Sequence, residues 1–455
     1  MDKGILLIDF GSTFTKITAV DINNPHNFIT AKGPTTVRED INIGLQIALS
    51  ELEGKLGYMP EFVEKLACSS AAGGLNMIAI GLVPELTLEA AKMAALGAGA
   101  KLQKLYSYKL TKREIKEICQ LKPDIILLAG GTDGGNREVI LHNGSLLAQS
   151  EITCPVIIAG NKNAQDELEE MFINNGKDYY ITDNVLPSLN KINVDSAREK
   201  IREVFLKNII EAKGIKKAEK FIDGVIMPTP QAVLKAGQFL AENKILGKEK
   251  ILIVDVGGAT TDVHSFSKGE PKGSGVIFRG LPQPFAKRTV EGDLGLRYSI
   301  KPLIEALINA NLLDIPEKDL ENYLEEISND IWNTQKISSE LELLLAKGAV
   351  NLAVKRHCGY LEIIYTPQGI NYIQYGKDLT DIELVIGTGG PIINSTNPKE
   401  ILQGVLFDEG DNLVLKPKNP EFILDKNYVL SAIGLLMERY PHLAKGLAEK
   451  NFFRL

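Results

Sequence analysis

IDFGSTFTK at Ile8–Lys16 and IVDVGGATTD at Ile253–Asp262 carry the same chemical idea in opposite halves of the chain. Each follows a short apolar run, Gly4–Ile8 and Ile251–Val254, that reads as a buried strand. An aspartate ends each strand (Asp9, Asp255), and glycine follows after one further residue (Gly11, Gly257). Ser12, Thr13, Thr15 and Lys16 come next in the first copy; Gly258, Ala259, Thr260, Thr261 and Asp262 come next in the second. A phosphate needs close backbone approach, N–H donors and hydroxyls, and turns rich in glycine and threonine supply them without steric cost. Magnesium takes oxygen ligands and keeps most of its waters, which suits one carboxylate from each turn. Two such turns facing each other would clamp a triphosphate.

A single strand–Asp–Gly turn is ordinary hairpin punctuation. The pair means more, because each copy has a second glycine turn at a similar distance downstream. These are Gly130 in IILLAGGTDGG and Gly389 in ELVIGTGGPI, each after an apolar run, Ile125–Ala129 and Leu384–Ile386. The chain therefore reads as two related α/β halves, a long-period duplication. Directly before the second phosphate turn, MPTPQAVLKAGQFLA (Met227–Ala241) reads as a helix opened by Pro228 and Pro230, with Ala232, Ala236 and Gly237 along one side. Near the end, YVLSAIGLLMERY (Tyr428–Tyr440) has Ala432 and Gly434 in the matching role. Small residues let two helices approach closely; the alternative for each is an ordinary amphipathic helix with a tolerated glycine.

This order of elements resembles the actin, Hsp70 and sugar-kinase ATPase superfamily over almost the whole chain, from Ile5 to Tyr440. The fold so implied is α/β, an actin/Hsp70-like (ribonuclease H-like, duplicated) ATPase. The first lobe would span residues 1–250 and the second 251–455, with a helical subdomain inserted at about 275–355. The resemblance implies ATP or ADP and Mg2+ as ligands. Asp9 and Asp255 would be the catalytic carboxylates that orient the metal's hydration shell, with Asp262 near the ion. Backbone N–H groups of Gly11, Ser12 and Thr13 and of Gly257, Gly258, Ala259 and Thr260 would meet the phosphates, and Thr15 and Thr261 in the same turns would also be nucleotide-binding residues. Lys16 would reach one as a mobile charge or pair with a strand neighbour, and Gly387, Thr388, Gly389 and Gly390 would lie against the adenosine.

Within the superfamily, CSSAAGGLNM (Cys68–Met77), LLAGGTDGGN (Leu127–Asn136) and RTVEGDLGLR (Arg288–Arg297) resemble one branch. It is the MutL accessory family associated with adenosylcobalamin-dependent glutamate mutase, unrelated to the mismatch-repair protein of that name. The resemblance implies a chaperone-like, reactivating ATPase with a mutase as protein partner. Three other readings stay open: a small-molecule kinase of the same fold, an activator of an iron–sulfur dehydratase, and a polymerising protein of actin type.

Composition sets bounds. At 455 residues, 44% hydrophobic and 24% charged, the chain can bury two cores. A formal charge of −7 argues against nucleic acid or an anionic membrane as partner. Asp2 and Lys3 lead straight into the first strand, and no apolar run approaches membrane-spanning length, so the expected location is the cytoplasm. Cys68, Cys119, Cys154 and Cys358 form no C-x-x-C pair and read as packed thiols, with cluster ligands as the competing reading. Oligomeric state is open.

Residues 151–226 read as extra α/β material on the first lobe. Its parts are strands at Pro155–Ala159 and Tyr179–Thr182 and a polar helix around Ser196–Lys213. From Gly275 to about Leu352 the pattern reads as helical. Lys355, Arg356 and His357 at its end read as a solvated helix end or as a border to the adenine or ribose.

Overall fold

The protein is seen in a computed structural model that describes residues 1–11, 14–36, 41–70, 75–189, 191–212, 221–223, 225–273, 275–329, 339–367 and 369–455. It divides into two compact units. Met1–Ala236, Gly280–Pro282 and Ser431–Leu447 make the first; Gly237–Arg279, Gln283–Leu430 and Ala448–Leu455 make the second.

The first unit opens with strands β1 (Lys3–Phe10), β2 (Phe14–Asp21) and β3 (Phe28–Pro34), an antiparallel meander. Strand β4 (Glu61–Ser69) then runs parallel to β1. β1 is buried from Gly4 through Phe10, as expected of a strand covered on both faces, and so its sequence is a run rather than an alternation. The chain next builds a separate sheet from β5 (Asn76–Gly81), β6 (Lys101–Ser107), β7 (Ile125–Leu128), β8 (Val156–Ile158) and β9 (Tyr179–Ile181). All of its pairings are parallel, in the order β6-β5-β7-β8-β9, a doubly wound arrangement. Strand β10 (Val225–Pro228) returns to the first sheet, whose order among the described residues is β10-β4-β1-β2-β3.

The second unit contains β11 (Ile251–Val256), β12 (Thr261–Phe266), β13 (Val276–Arg279), β14 (Ala286–Glu291), β15 (Tyr360–Thr366) and β16 (Gly369–Tyr375). It ends with β17 (Leu384–Thr388), β18 (Glu421–Leu424) and β19 (Phe453–Arg454). Its main sheet has the order β14-β12-β11-β17-β18-β19, and β13-β16-β15 form a small sheet apart. With β11 matched to β1, the β14-β12-β11-β17-β18 portion repeats the order and strand directions of β3-β2-β1-β4-β10. The duplication is therefore built into the backbone: two ribonuclease H-like sheets, the actin/Hsp70-type fold.

That equivalence corrects one expected correspondence. The second-unit turn at Gly389 follows β17, whose counterpart is β4, not β7. By register the first-unit equivalent of Gly387–Gly390 is thus Ala67–Ser70, at the start of the CSSAAGG string, of which residues 71–74 lie outside the described residues. The Gly130 turn belongs to the separate parallel sheet. A second correction concerns Val276–Arg279 and Ala286–Glu291, which are the strands β13 and β14; helix begins at Ile300 and resumes at Glu317 and Ser339. VIFR and AKRTVE are short segments with several β-branched or aromatic residues, which suit a pleated surface.

The two small-residue helices are Thr229–Glu242 and Leu430–Leu436. Pro228 ends β10 and Pro230 falls in the first helical turn. A Cβ on Gly434 would lie 2.0 Å from the carbonyl oxygen of Ala232, so these helices meet backbone to backbone. Gly237 serves a different contact: a Cβ there would lie 2.2 Å from the Phe266 ring and 2.8 Å from Ile253, so its smallness seats the helix on β11 and β12 rather than at the helix crossing.

Buried polar groups in the second unit give a pH dependence. His264 on β12 is fully buried, and burial, then the charge of Arg288, lowers its pKa to about 3. The unfolded chain takes up this proton below about pH 6.5 while the folded protein refuses it. Stability is therefore present in full above pH 6.5 and lost as pH falls toward 3, by about 1.4 kcal/mol per pH unit from this group. Urea denaturation at pH 7, 6 and 5 should show a flatter decline in His264→Leu than in the native protein.

Candidate nucleotide site

Each unit holds one aspartate–glycine turn, and the two are built alike. In the first, Gly11 N–H donates to the Phe14 carbonyl at 3.1 Å, closing the β1–β2 hairpin; in the second, Gly257 N–H donates to the Thr260 carbonyl at 2.9 Å. Gly11 cannot carry a side chain, since a Cβ would lie 2.6 Å from the Phe14 carbonyl oxygen. Register pairs Asp9 with Lys16 and Asp255 with Asp262. Lys16 and Asp262 therefore occupy the same place with opposite charge. Thr15 and Thr261 are likewise equivalent and both fully buried, which removes them from a ligand's surface. Thr261 Oγ1 donates to the Leu294 carbonyl at 2.6 Å. Ser12 and Thr13 lie outside the described residues.

Asp9 is buried at the end of β1 and gathers hydroxyls. Thr229 Oγ1 donates to Oδ1 at 2.6 Å, Ser431 Oγ donates to Oδ2 at 3.4 Å, and the Cys68 thiol donates to Oδ1 at 3.6 Å. Cys68 sits beside Asp9 in the β1–β4 register, and burial, with the Asp9 charge next, pushes its pKa well up, so it remains a thiol. Thr229 opens its helix, and Ser431 is in the first turn of the other. Partial positive charge at a helix start favours an anionic group there.

In the second unit the turn is locked from behind. Leu296 N–H donates to the Gly257 carbonyl at 3.1 Å, while Arg297 and Tyr298 N–H both donate to the Gly258 carbonyl at 2.8 Å. Ser299 Oγ donates to the Ala259 carbonyl at 2.8 Å, and a Cβ on Gly295 would lie 2.3 Å from Ala259. The RTVEGDLGLR string is thus the brace of the turn. It fixes the carbonyls, and the N–H groups of Gly258, Ala259 and Thr260 find no acceptor among the described residues. Such a row of backbone donors is an anion nest.

Asp262 is engaged by Arg288, with Nε at 2.8 Å and Nη2 at 2.6 Å from Oδ1, and accepts from Thr260 Oγ1 at 3.1 Å. Asp255 pairs in register with Thr388 on β17, next to the second glycine turn. Gly389 has φ 92°, and a Cβ there would meet the Val256 carbonyl oxygen at 2.1 Å and Asp255 Oδ1 at 2.6 Å. Only glycine fits, on both counts. Thr388 Oγ1 donates to Asp425 Oδ2 at 3.4 Å, and Asp425 N–H donates to the Gly387 carbonyl at 3.0 Å. Asp425 also accepts from Val429 and Leu430 N–H, at 2.8 and 3.2 Å, so it ties this turn to the start of the Leu430 helix.

Sequence reading missed Thr229, Ser431, Asp425 and Tyr428. Tyr428 adopts φ 56°, places its hydroxyl 3.9 Å from the Cβ position of Gly390, and bonds Asn394. Burial, then the charges of Asp255 and Asp425, hold that hydroxyl protonated. A hydroxyl residue at the start of a helix directly after an apolar strand was the available signal for Thr229.

Lys355, Arg356 and His357 resolve differently. Lys355 pairs with Asp411, and Arg356 holds Asp293 with two bonds, at 2.8 and 2.9 Å, and Glu291 at 2.8 Å. His357 is fully buried between Thr289 Oγ1 and Ser265 Oγ, each at 2.8 Å, and is a core histidine, neither solvated nor facing a ligand. Burial also raises the thiols Cys154 and Cys358 to about 12.

A family model described as MutL protein matches residues 5–452. The chain belongs to the MutL family. It is 51% identical to Protein MutL of Clostridium tetanomorphum over 453 residues, covering 98% of each chain. Among solved structures, a nucleotide-free acetone carboxylase is similar at 13% identity, over 95% of this chain and 69% of that one, with TM-score 0.44. The ethanolamine utilization protein EutJ from Carboxydothermus hydrogenoformans is similar at 10% identity, over 95% and 88%, with TM-score 0.29. The fold assignment rests on the repeated sheet order, not on these distant likenesses. No helix among the described residues is long and apolar enough to cross a membrane.

Proposed function

We propose that this MutL-family chain binds ATP with magnesium, hydrolyses it, and uses the cycle to reactivate an adenosylcobalamin-dependent mutase of glutamate mutase type. The observation that carries the nucleotide reading is the pair of matching turns. Each places a carboxylate two residues before a hairpin-closing glycine, and the braced one offers three backbone donors that nothing in the described protein uses. The residues fit the ligand. Gly258–Thr260 would hold phosphate oxygens, while the N–H groups of Gly11 and Gly257 are spent in closing their hairpins. Gly389 lets the chain turn tightly past Val256 and Asp255, and the backbone of Gly387–Gly390 would lie against the adenosine. Asp9 and Asp255 would accept hydrogen bonds from waters around the ion; magnesium would supply charge neutralisation on the phosphates. Asp262, paired with Arg288, would act through that pair rather than as a free carboxylate.

The partner reading is supported by membership of the MutL family and by the resemblance of its signature strings. Binding energy alone cannot eject a tight cofactor repeatedly, because the contacts that displaced it would hold the emptied enzyme. Hydrolysis resets the cycle by changing which conformation is favoured. The experiment is to inactivate glutamate mutase with hydroxocobalamin, then add this protein, ATP, magnesium and fresh adenosylcobalamin. Recovery is expected to need hydrolysable ATP and to be lost with Asp255→Ala. Equal recovery without ATP, or transfer of phosphate to a small metabolite, would overturn the reading.

A further inference from the structure

We propose that the outer edge of β15 joins two copies of this chain by antiparallel strand pairing. β15, YLEIIYT, is an edge strand of the small sheet β13-β16-β15, with β16 on one side. On its other side, among the described residues, cover is given only at the start: Leu361 N–H donates to the Leu413 carbonyl at 2.8 Å, and Tyr360 bridges Val414. From Glu362 onward the strand outruns that cover. Backbone groups alternate in direction along an antiparallel strand, so those of Ile363 and Tyr365 point outward with Leu361. The N–H groups of Ile363 and Tyr365 have no acceptor among the described residues.

Open edges are usually blunted by charged side chains, proline, a bulge or a covering loop. Along Glu362–Thr366 β15 carries a single charge, Glu362, and no proline; its register with β16 is unbroken, and no loop among the described residues pairs with it there. The sheet also exposes apolar side chains: Ile363 38%, Tyr365 79%, Ile370 57% and Ile277 62%. An unprotected edge on an apolar sheet is a template for a further strand.

A second copy fits this edge because the strand complements itself. In two-fold pairing, outward residues must face outward residues, so the axis passes beside Ile363 or Ile364. An axis at Ile363 would need the Leu361 N–H, which Leu413 already occupies. The axis at Ile364 places Ile363 opposite Tyr365 of the second copy and Glu362 opposite Thr366. The strand's one charge then meets a hydroxyl and never its own copy, and an apolar–aromatic pair, the kind favoured across strands, repeats twice.

The test uses the full chain. Sedimentation should give a concentration-dependent species at twice 49.8 kDa. Ile364→Glu and Ile364→Lys each bring like charges face to face on the axis and should each sediment as monomers, whereas an equimolar mixture should recover the dimer. In the native chain, amide exchange at Ile363 and Tyr365 should slow several-fold as concentration rises, with Leu361 unchanged; this readout needs no variant to fold. A native chain that stays monomeric, charged variants that still dimerise, a mixture that does not recover, or exchange at Ile363 and Tyr365 that ignores concentration would each overturn the proposal.

Discussion

Asp255→Ala should bind magnesium-ATP at least 100-fold more weakly and lose hydrolysis by a similar or larger factor, with little change in unfolding free energy. A factor of ~100 is the loss typical of removing one preorganised electrostatic group from a site where charge must be balanced. The carboxylate stands 2.6 Å from where a Cβ on Gly389 would be, so it lies where the Gly257 and Gly389 turns of its unit come together. Its removal also spares the turn, whose hydrogen bonds run through the backbone of Gly257, Gly258 and Ala259 to Leu296, Arg297, Tyr298 and Ser299. The first-unit partner needs a gentler change. Asp9→Ala would strand the hydroxyls of Thr229 and Ser431 in a buried place and cost about 1–3 kcal/mol of stability. Asp9→Asn keeps an acceptor for Thr229 while removing the charge, and is expected to match Asp255→Ala in lost affinity without the loss of fold. Titration calorimetry with and without magnesium, alongside thermal unfolding, measures both. Unchanged affinity in Asp255→Ala and Asp9→Asn would remove the nucleotide reading.

The repeated turn was legible because its chemistry is local. Aspartate, glycine and threonine within a few residues of an apolar run dictate a hairpin with exposed donors, and Gly11 and Gly257 close it as their spacing suggests. Their long-range correspondences were not legible. Gly130 and Gly389 both follow apolar strands, but strand pairing, not spacing, decides which sheet a turn serves, and pairing leaves no mark in a single sequence. The Gly130 loop turns out to be fastened within its own sheet edge. Asn161 bonds the carbonyls of Gly135 and Asn136, and Asn184 bonds Gly131 and Asp133, so polar residues spread over more than fifty positions act on one turn. The brace at Leu294–Ser299 was visible as a string without a role, because apart from the Ser299 hydroxyl its bonds to the turn are made by main-chain atoms. His357 illustrates the converse: a basic triplet at a helix end suggests a solvated face, yet the third member turns into the core to meet Thr289 and Ser265.

Gly434→Leu should have the largest effect on stability of any substitution away from the nucleotide turns. The contact it would disturb is main chain on main chain: the first atom of any side chain at 434 lies 2.0 Å from the Ala232 oxygen and 2.6 Å from its carbonyl carbon. A flexible side chain could rotate away from such a clash, whereas a helical carbonyl cannot. The Leu430–Leu436 helix must therefore shift bodily, and overpacking of this kind costs about 1–3 kcal/mol and sometimes more. Both helices are also where the chain passes between units, at Ala236/Gly237 and at Leu430/Ser431. A shift of the Leu430 helix would carry Ser431 away from Asp9 and strain the Asp425 bonds at the helix start. The consequence for function is separable from the loss of stability. At a temperature where Gly434→Leu is still folded, ATP should bind within a few-fold of the native affinity, because the Gly258–Thr260 donors lie elsewhere in the sequence and keep their brace. Nucleotide-dependent compaction, read by small-angle scattering, should be absent. Gly434→Ala, with one methyl to accommodate, should fall between the two. A normal compaction in folded Gly434→Leu would mean that this helix contact is a packing device alone and that the hinge, if hydrolysis moves the units, lies at another point of the chain.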